Sequence, residues 1–109
     1  MLALIETNVE AIQSLCSEFS VRRLDVFGSA VTDAFDPNRS DIDFLIEYAP
    51  QANLGPWMKK HFDLRDRLSV LLGQTVDLVM ADSIHNPYLL RAIEQSRRPI
   101  YASEIPEIA

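Results

Sequence analysis

Arg39-Ser40-Asp41-Ile42-Asp43-Phe44-Leu45-Ile46 is the stretch that decides the reading of this chain. Ile42, Phe44, Ile46 and Tyr48 alternate with Asp41, Asp43, Leu45 and Glu47, so 41–48 reads as a strand with one apolar face. Side chains two apart in a strand point to the same side, so Asp41 and Asp43 project together. Aspartate is depleted in strands. Two anions held side by side also repel, and one pKa rises unless a cation joins them. A divalent ion, or a pair of ions roughly 3.5–4 Å apart, answers that need and assists in-line displacement at phosphorus. The plain alternative is two polar residues on a solvent-facing strand.

Upstream, Leu24-Asp25-Val26-Phe27 reads as a short strand that ends at Gly28-Ser29. Glycine there permits close approach of backbone to a ligand, the amides of a following helical turn favour an anion, and Ser29 adds a hydroxyl. Standing alone, a Gly-Ser pair is most often a plain turn. No Lys-Ser or Lys-Thr follows it, so it is not a Walker loop, and three glycines in the whole chain leave no dinucleotide fingerprint. Downstream, Thr75-Val76-Asp77-Leu78-Val79 supplies a third carboxylate on another strand. If that strand lies beside 41–48, Asp77 can complete a metal shell or accept a proton from an attacking hydroxyl; otherwise it is a surface residue on an edge strand.

Helical patterns fill the rest. Thr7 to Glu10 fits a capping box ahead of a helix over roughly 8–19, with Val9, Ile12, Leu15, Cys16 and Phe19 on its apolar stripe. Residues 29–33 allow one or two helical turns, and 35–40 is a loop by its turn residues. After a 50–55 connector, a helix starts at Pro56, with Met58, Phe62, Leu64, Leu68, Leu71 and Leu72 as its apolar face and Gly73 as its C-cap. Asn86-Pro87 starts a last helix continued by Tyr88, Leu89, Ala92 and Ile93. Residues 99–101 form a final strand, and the chain beyond Ser103 frays. The expectation is an α/β (α+β) domain spanning 1–109, with a small mixed sheet of about four strands flanked by helices; the 29–40 link allows either strand direction.

Composition bounds the chemistry. Hydrophobic residues make up 48% and charged residues 24% of 109, a globular mixture sized for one core. No apolar run spans a bilayer and no secretory signal is visible, so no membrane association and a cytoplasmic setting are expected. One cysteine, Cys16, forms no internal disulfide, and with His61 and His85 it makes no convincing zinc site. Cys16 reads as a buried structural thiol. Any metal must then sit on carboxylates and be a hard ion such as magnesium. A net charge of −6 argues against direct binding of a long nucleic acid. Arg22-Arg23 and Arg97-Arg98 could form local basic patches, though solvated surface is the simpler reading.

Phe27-Gly28-Ser29, eleven residues, Asp41-Ile42-Asp43 and then a strand carrying Asp77 together resemble the polymerase-beta-like nucleotidyltransferase superfamily. Within it the pattern looks like the minimal nucleotidyltransferases of bacteria and archaea. The resemblance runs from about Leu24 to Val79. It implies that Gly28, Ser29 and Ser40 bind the nucleotide, that Asp41 and Asp43 hold two magnesium ions, and that Asp77 is the third acidic residue. It further implies transfer of a nucleoside monophosphate, AMP from ATP, to a hydroxyl of a partner protein. That partner would be a HEPN-domain toxin, with this chain as its antitoxin, and a homo- or hetero-oligomer stays open. Two alternatives accompany it: a binding antitoxin with the same fold and no catalysis, and a transferase acting on an antibiotic-type small molecule. One departure stands out. Many relatives carry Arg-Gly shortly after the Gly-Ser, where this chain has Thr32-Asp33, so an arginine contact to phosphate is missing.

Overall fold

Four strands form one mixed sheet: β1 (Val21–Phe27), β2 (Ile42–Tyr48), β3 (Val76–Met80) and β4 (Arg98–Ala102), in the order β3-β2-β1-β4. The computed structural model describes residues 1–103. β1 runs antiparallel to both β2 and β4, while β2 and β3 are parallel. The 28–41 link reverses the chain over one end of the sheet, which resolves the strand direction that link length left open. The parallel step from β2 to β3 needs a crossover, and α3 (Lys59–Leu72) provides it. The amide of Ile42 donates to the Thr75 carbonyl at 2.9 Å, tying the starts of β2 and β3 together.

The sheet has two unequal faces. Leu24, Val26, Ile42, Phe44 and Ile46 are fully buried on one, against Ile5, Ile12 and Cys16 from α1 (Ala3–Thr7) and α2 (Val9–Glu18) and Leu64 and Leu68 from α3. Phe44 is the largest fully buried side chain of this core among the described residues; truncating a buried phenylalanine to alanine typically costs about 3–5 kcal/mol. The opposite face holds a smaller cluster of Phe27, Leu45 and Ile93, the last from α4 (Pro87–Ser96). Burial pushes the Cys16 thiol up to about 12, as befits a structural cysteine. Among the described residues no helix is long and apolar enough to cross a membrane.

Several local expectations are corrected. The first helix is broken in two at Asn8, because 3–7 is itself helical: Thr7 donates its hydroxyl back to the Ala3 carbonyl at 2.7 Å and caps nothing downstream. β1 starts earlier than expected, at Val21. The turn after it is a single 3-10 turn, Gly28–Ala30. Pro56–Met58 forms a separate 3-10 turn before α3. In α3, Phe62 is exposed and His61 takes its place on the buried stripe with Leu64, Leu68 and Leu72. His61 Nε2 bonds the Leu78 carbonyl and its Nδ1 bonds the Tyr48 hydroxyl at 2.8 Å, so the ring is satisfied in the core. α4 buries only Ile93; Tyr88 and Leu89 face outward. Gly73 caps α3 in the left-handed region, and Asn86 caps α4 by accepting from the Tyr88 and Leu89 amides, both as expected. The fraying expected beyond Ser103 lies outside the described residues.

Candidate active site

Two register pairings assemble the site. In β1–β2, Phe27 faces Asp43; in β2–β3, Asp43 faces Asp77. Phe27 leads directly into Gly28. One row across the sheet therefore carries the end of β1, Asp43 and Asp77, on the face opposite the main core. Asp41 precedes β2 and reaches the same cluster: its charge and that of Asp77 both act on Asp43. Burial, with the Asp77 and Asp41 charges reinforcing it, pushes the Asp43 carboxyl up to about 6. Asp43 is half-buried, while Asp41 and Asp77 are exposed. Among the described residues no arginine or lysine forms an ion pair with any of the three.

Gly28 adopts φ +75°, the left-handed region that glycine enters without strain. A β-carbon built there would lie 3.0 Å from Asp43 Oδ2, so glycine is required for both space and conformation. The turn is held from below: Val31 N bonds Gly28 O at 3.0 Å and Thr32 N bonds Ser29 O at 3.2 Å. The Gly28 amide donates to Ser96 Oγ at 3.0 Å, a contact with α4 that local sequence does not announce. Ser40 sits at the other side of the link. Its hydroxyl accepts the Asp36 amide at 3.0 Å and its own amide bonds Asp36 O at 2.7 Å, so it closes the turn that delivers Asp41. Thr32 is used locally, its hydroxyl donating to Ser29 O and accepting from the Ala34 amide.

The donor set is all carboxylate oxygen, the chemistry that suits a hard divalent ion. Crowded negative charge on Asp43, without a paired cation, is the condition such an ion relieves. Among the described residues no three acidic, histidine or cysteine side chains are drawn together as a closed metal shell. The fit to magnesium thus rests on charge and donor type at an open cluster. A surface hollow lies elsewhere, between α2 and α3, lined by Leu15, Arg67 and Val70.

Residues 9–100 match the family described as Nucleotidyltransferase domain. The chain belongs to that family. It is a nucleotidyltransferase, and the resemblance carried by Gly28-Ser29 and Asp41-Ile42-Asp43 is borne out. The protein named "Putative protein adenylyltransferase MJ0128", from Methanocaldococcus jannaschii, is 38% identical over 81 residues, covering 74% of this chain and 78% of that protein. A solved structure of a "putative minimal nucleotidyltransferase" superposes with a TM-score of 0.71 at 28% identity, covering 91% of this chain and 96% of that one. A chain from the complex of a tri-AMPylated Shewanella oneidensis HEPN toxin with its MNT antitoxin shares the fold, with a TM-score of 0.62 at 19% identity, covering 91% and 73%. The expected mixed four-stranded nucleotidyltransferase sheet is the one observed.

Two features beside the candidate site escaped the sequence reading. Asp25 is fully buried and paired with Arg97 and Arg23, which corrects the solvated-surface reading for Arg97, while Arg22, Arg23 and Arg98 are exposed as expected. Its signal was a lone acid inside the apolar run Leu24 to Phe27. Ser96, bonded to Gly28, had no signal at all.

Proposed function

We propose that this nucleotidyltransferase moves AMP from ATP to a hydroxyl of a partner protein, and that the partner is a HEPN-domain toxin which this chain restrains as an antitoxin in the cytoplasm. The observation that carries the catalytic part is the register that lines up Phe27-Gly28, Asp43 and Asp77 in one row. The Shewanella oneidensis complex that shares this fold, a tri-AMPylated HEPN toxin with an MNT antitoxin, supports the choice of partner.

In this reading Gly28 and Ser29 receive the triphosphate, Ser40 fixes the turn that presents Asp41, and Asp41, Asp43 and Asp77 would hold magnesium. Magnesium, when bound, neutralises phosphate charge and acts as a Lewis acid on the phosphoryl group. The hydroxyl oxygen of the acceptor forms a bond to the α-phosphorus as the bond to pyrophosphate breaks. Asp77, at the exposed end of the row, accepts the hydroxyl proton. Asp43 is shielded beneath Gly28 and keeps the nucleotide side of the site negative enough to retain a cation.

The test is transfer of label from α-labelled ATP to the product of the neighbouring gene, with magnesium and with excess chelator. Label on the partner, lost with chelator, supports the reading. Tight binding of the partner without any label supports the non-catalytic antitoxin instead.

A further inference from the structure

Asp25 and His61 are the buried polar or charged residues among those described, and Asp25 has no solvent exposure. It faces Leu45 across the β1–β2 pairing, so it lies on the face that carries Asp43. A carboxylate stripped of water needs strong partners. Arg97 Nε donates to Asp25 Oδ2 at 2.6 Å with Nη2 beside it at 2.5 Å, and Arg23 Nε donates to Oδ1 at 3.2 Å. Buried pairs of this kind seldom add net stability over apolar residues of similar size; what they can fix is geometry.

The geometry fixed here is the junction of α4 and β4. Arg97 directly follows Ser96, the last residue of α4, and its amide bonds Ile93 O at 2.8 Å. Ser96 Oγ accepts the Gly28 amide at 3.0 Å and donates to Ala92 O at 3.2 Å. Gly28, in turn, lies close beside the Asp43 carboxylate: a β-carbon built at Gly28 would be 3.0 Å from Asp43 Oδ2. A continuous path thus runs from Asp25 through Arg97 and Ser96 to Gly28, and Asp25 and Gly28 are three residues apart at the end of β1.

We propose that the Asp25–Arg97 pair and Ser96 are positioning residues for the nucleotide site: the ion pair locks the α4–β4 junction, and the junction holds the Ser96 hydroxyl on the Gly28 amide, setting the Gly28-Ser29 turn against Asp43. This rests on the reading of Gly28-Ser29 as the triphosphate-binding turn.

The experiment compares the full chain with Ser96→Ala, Ser96→Thr, Arg97→Lys and the Ser96→Ala/Arg97→Lys double variant. Two quantities are read: magnesium-ATP affinity by calorimetry and hydrogen exchange at the Gly28 amide. Ser96→Ala removes one half-buried hydroxyl, so it folds, and it should weaken ATP binding about fivefold, the worth of one hydrogen bond. Ser96→Thr restores the hydroxyl and the affinity. Arg97→Lys keeps the charge but loses the guanidinium fork; it should weaken ATP binding and speed Gly28 exchange although it does not touch Gly28. The double variant should be no weaker than the worse single one, because both act through one contact. Unchanged or tighter ATP binding in Ser96→Ala, with the natural chain binding ATP, overturns the proposal. If the natural chain itself fails to bind ATP, the reading of the turn falls, and exchange alone decides the positioning: faster Gly28 exchange in Arg97→Lys upholds it, and unaltered exchange overturns it.

Discussion

Asp43 and Asp77 stand directly abreast in the parallel pairing of β2 and β3, and the charge of Asp77 helps hold the Asp43 carboxyl up at about 6. Two acids on neighbouring strands, on the same face and in the same row, are an arrangement that costs stability until a cation arrives. The predictions follow from this row and from what supports it.

Asp43→Asn should abolish transfer and leave the metal-free protein at least as stable as the natural chain at pH 7. A folded-state pKa above the ordinary 3.8 means the ionised form is disfavoured by folding, so the penalty is present above about 6 and disappears as the pH falls toward 4. Melting temperatures in chelator at pH 7.5 and pH 4 check this: the advantage of the asparagine variant should shrink at the lower pH. A large loss of stability at pH 7.5 would assign Asp43 a structural role.

Gly28→Ala should damage both fold and site. The alanine would have to hold φ +75° with its β-carbon 3.0 Å from Asp43 Oδ2. Left-handed strain of that kind costs on the order of 1–3 kcal/mol. Urea denaturation should report a loss in this range, and ATP affinity should fall with it.

Asp77→Asn separates binding from chemistry. On the proposal that Gly28 and Ser29 receive the triphosphate and Asp77 accepts the proton, the substitution should cut the single-turnover rate by about 10²–10⁴-fold while magnesium-ATP affinity is largely kept. If affinity collapses with the rate, Asp77 is chiefly a metal ligand. If neither moves, the third acid is elsewhere, and Glu47, farther along β2 on the same face, is the next to replace.

His61 gives the protein a pH-sensitive core. Burial lowers its pKa below 6.5, and the Leu78 carbonyl only partly offsets that. The unfolded chain therefore takes up a proton that the folded chain resists, and stability should decline as the pH falls below about 6.5. Urea midpoints between pH 8 and pH 5 measure the slope. His61→Gln, which cannot titrate, should flatten it.

Much of the site was readable because strand alternation alone puts Asp41 and Asp43 on one side, and because a second acid-bearing strand at Asp77 needed only to lie next door. The direction of β2 was not readable, since a link of the 28–41 length can return the chain either way. Thr7 and Glu10 formed a convincing cap that the structure does not use, because the residues before them are also helical. His61 was hidden by Phe62, a better apolar candidate one position on, since nothing local revealed that Tyr48 and Leu78 wait for the ring. Asp25 was read only as part of a short strand, and its burial was not legible because its partner Arg97 is 72 residues away. Pairings over that span belong to the folded chain and leave no periodic trace.

Transfer of AMP to a protein acceptor at the proposed Asp41, Asp43 and Asp77 cluster is tested by intact-mass analysis of this chain and its genomic neighbour after incubation with ATP and magnesium. A mass gain of one or more AMP groups on the neighbour, absent with Asp43→Asn, is the predicted result. An unmodified neighbour in a stable complex with the natural chain would contradict it.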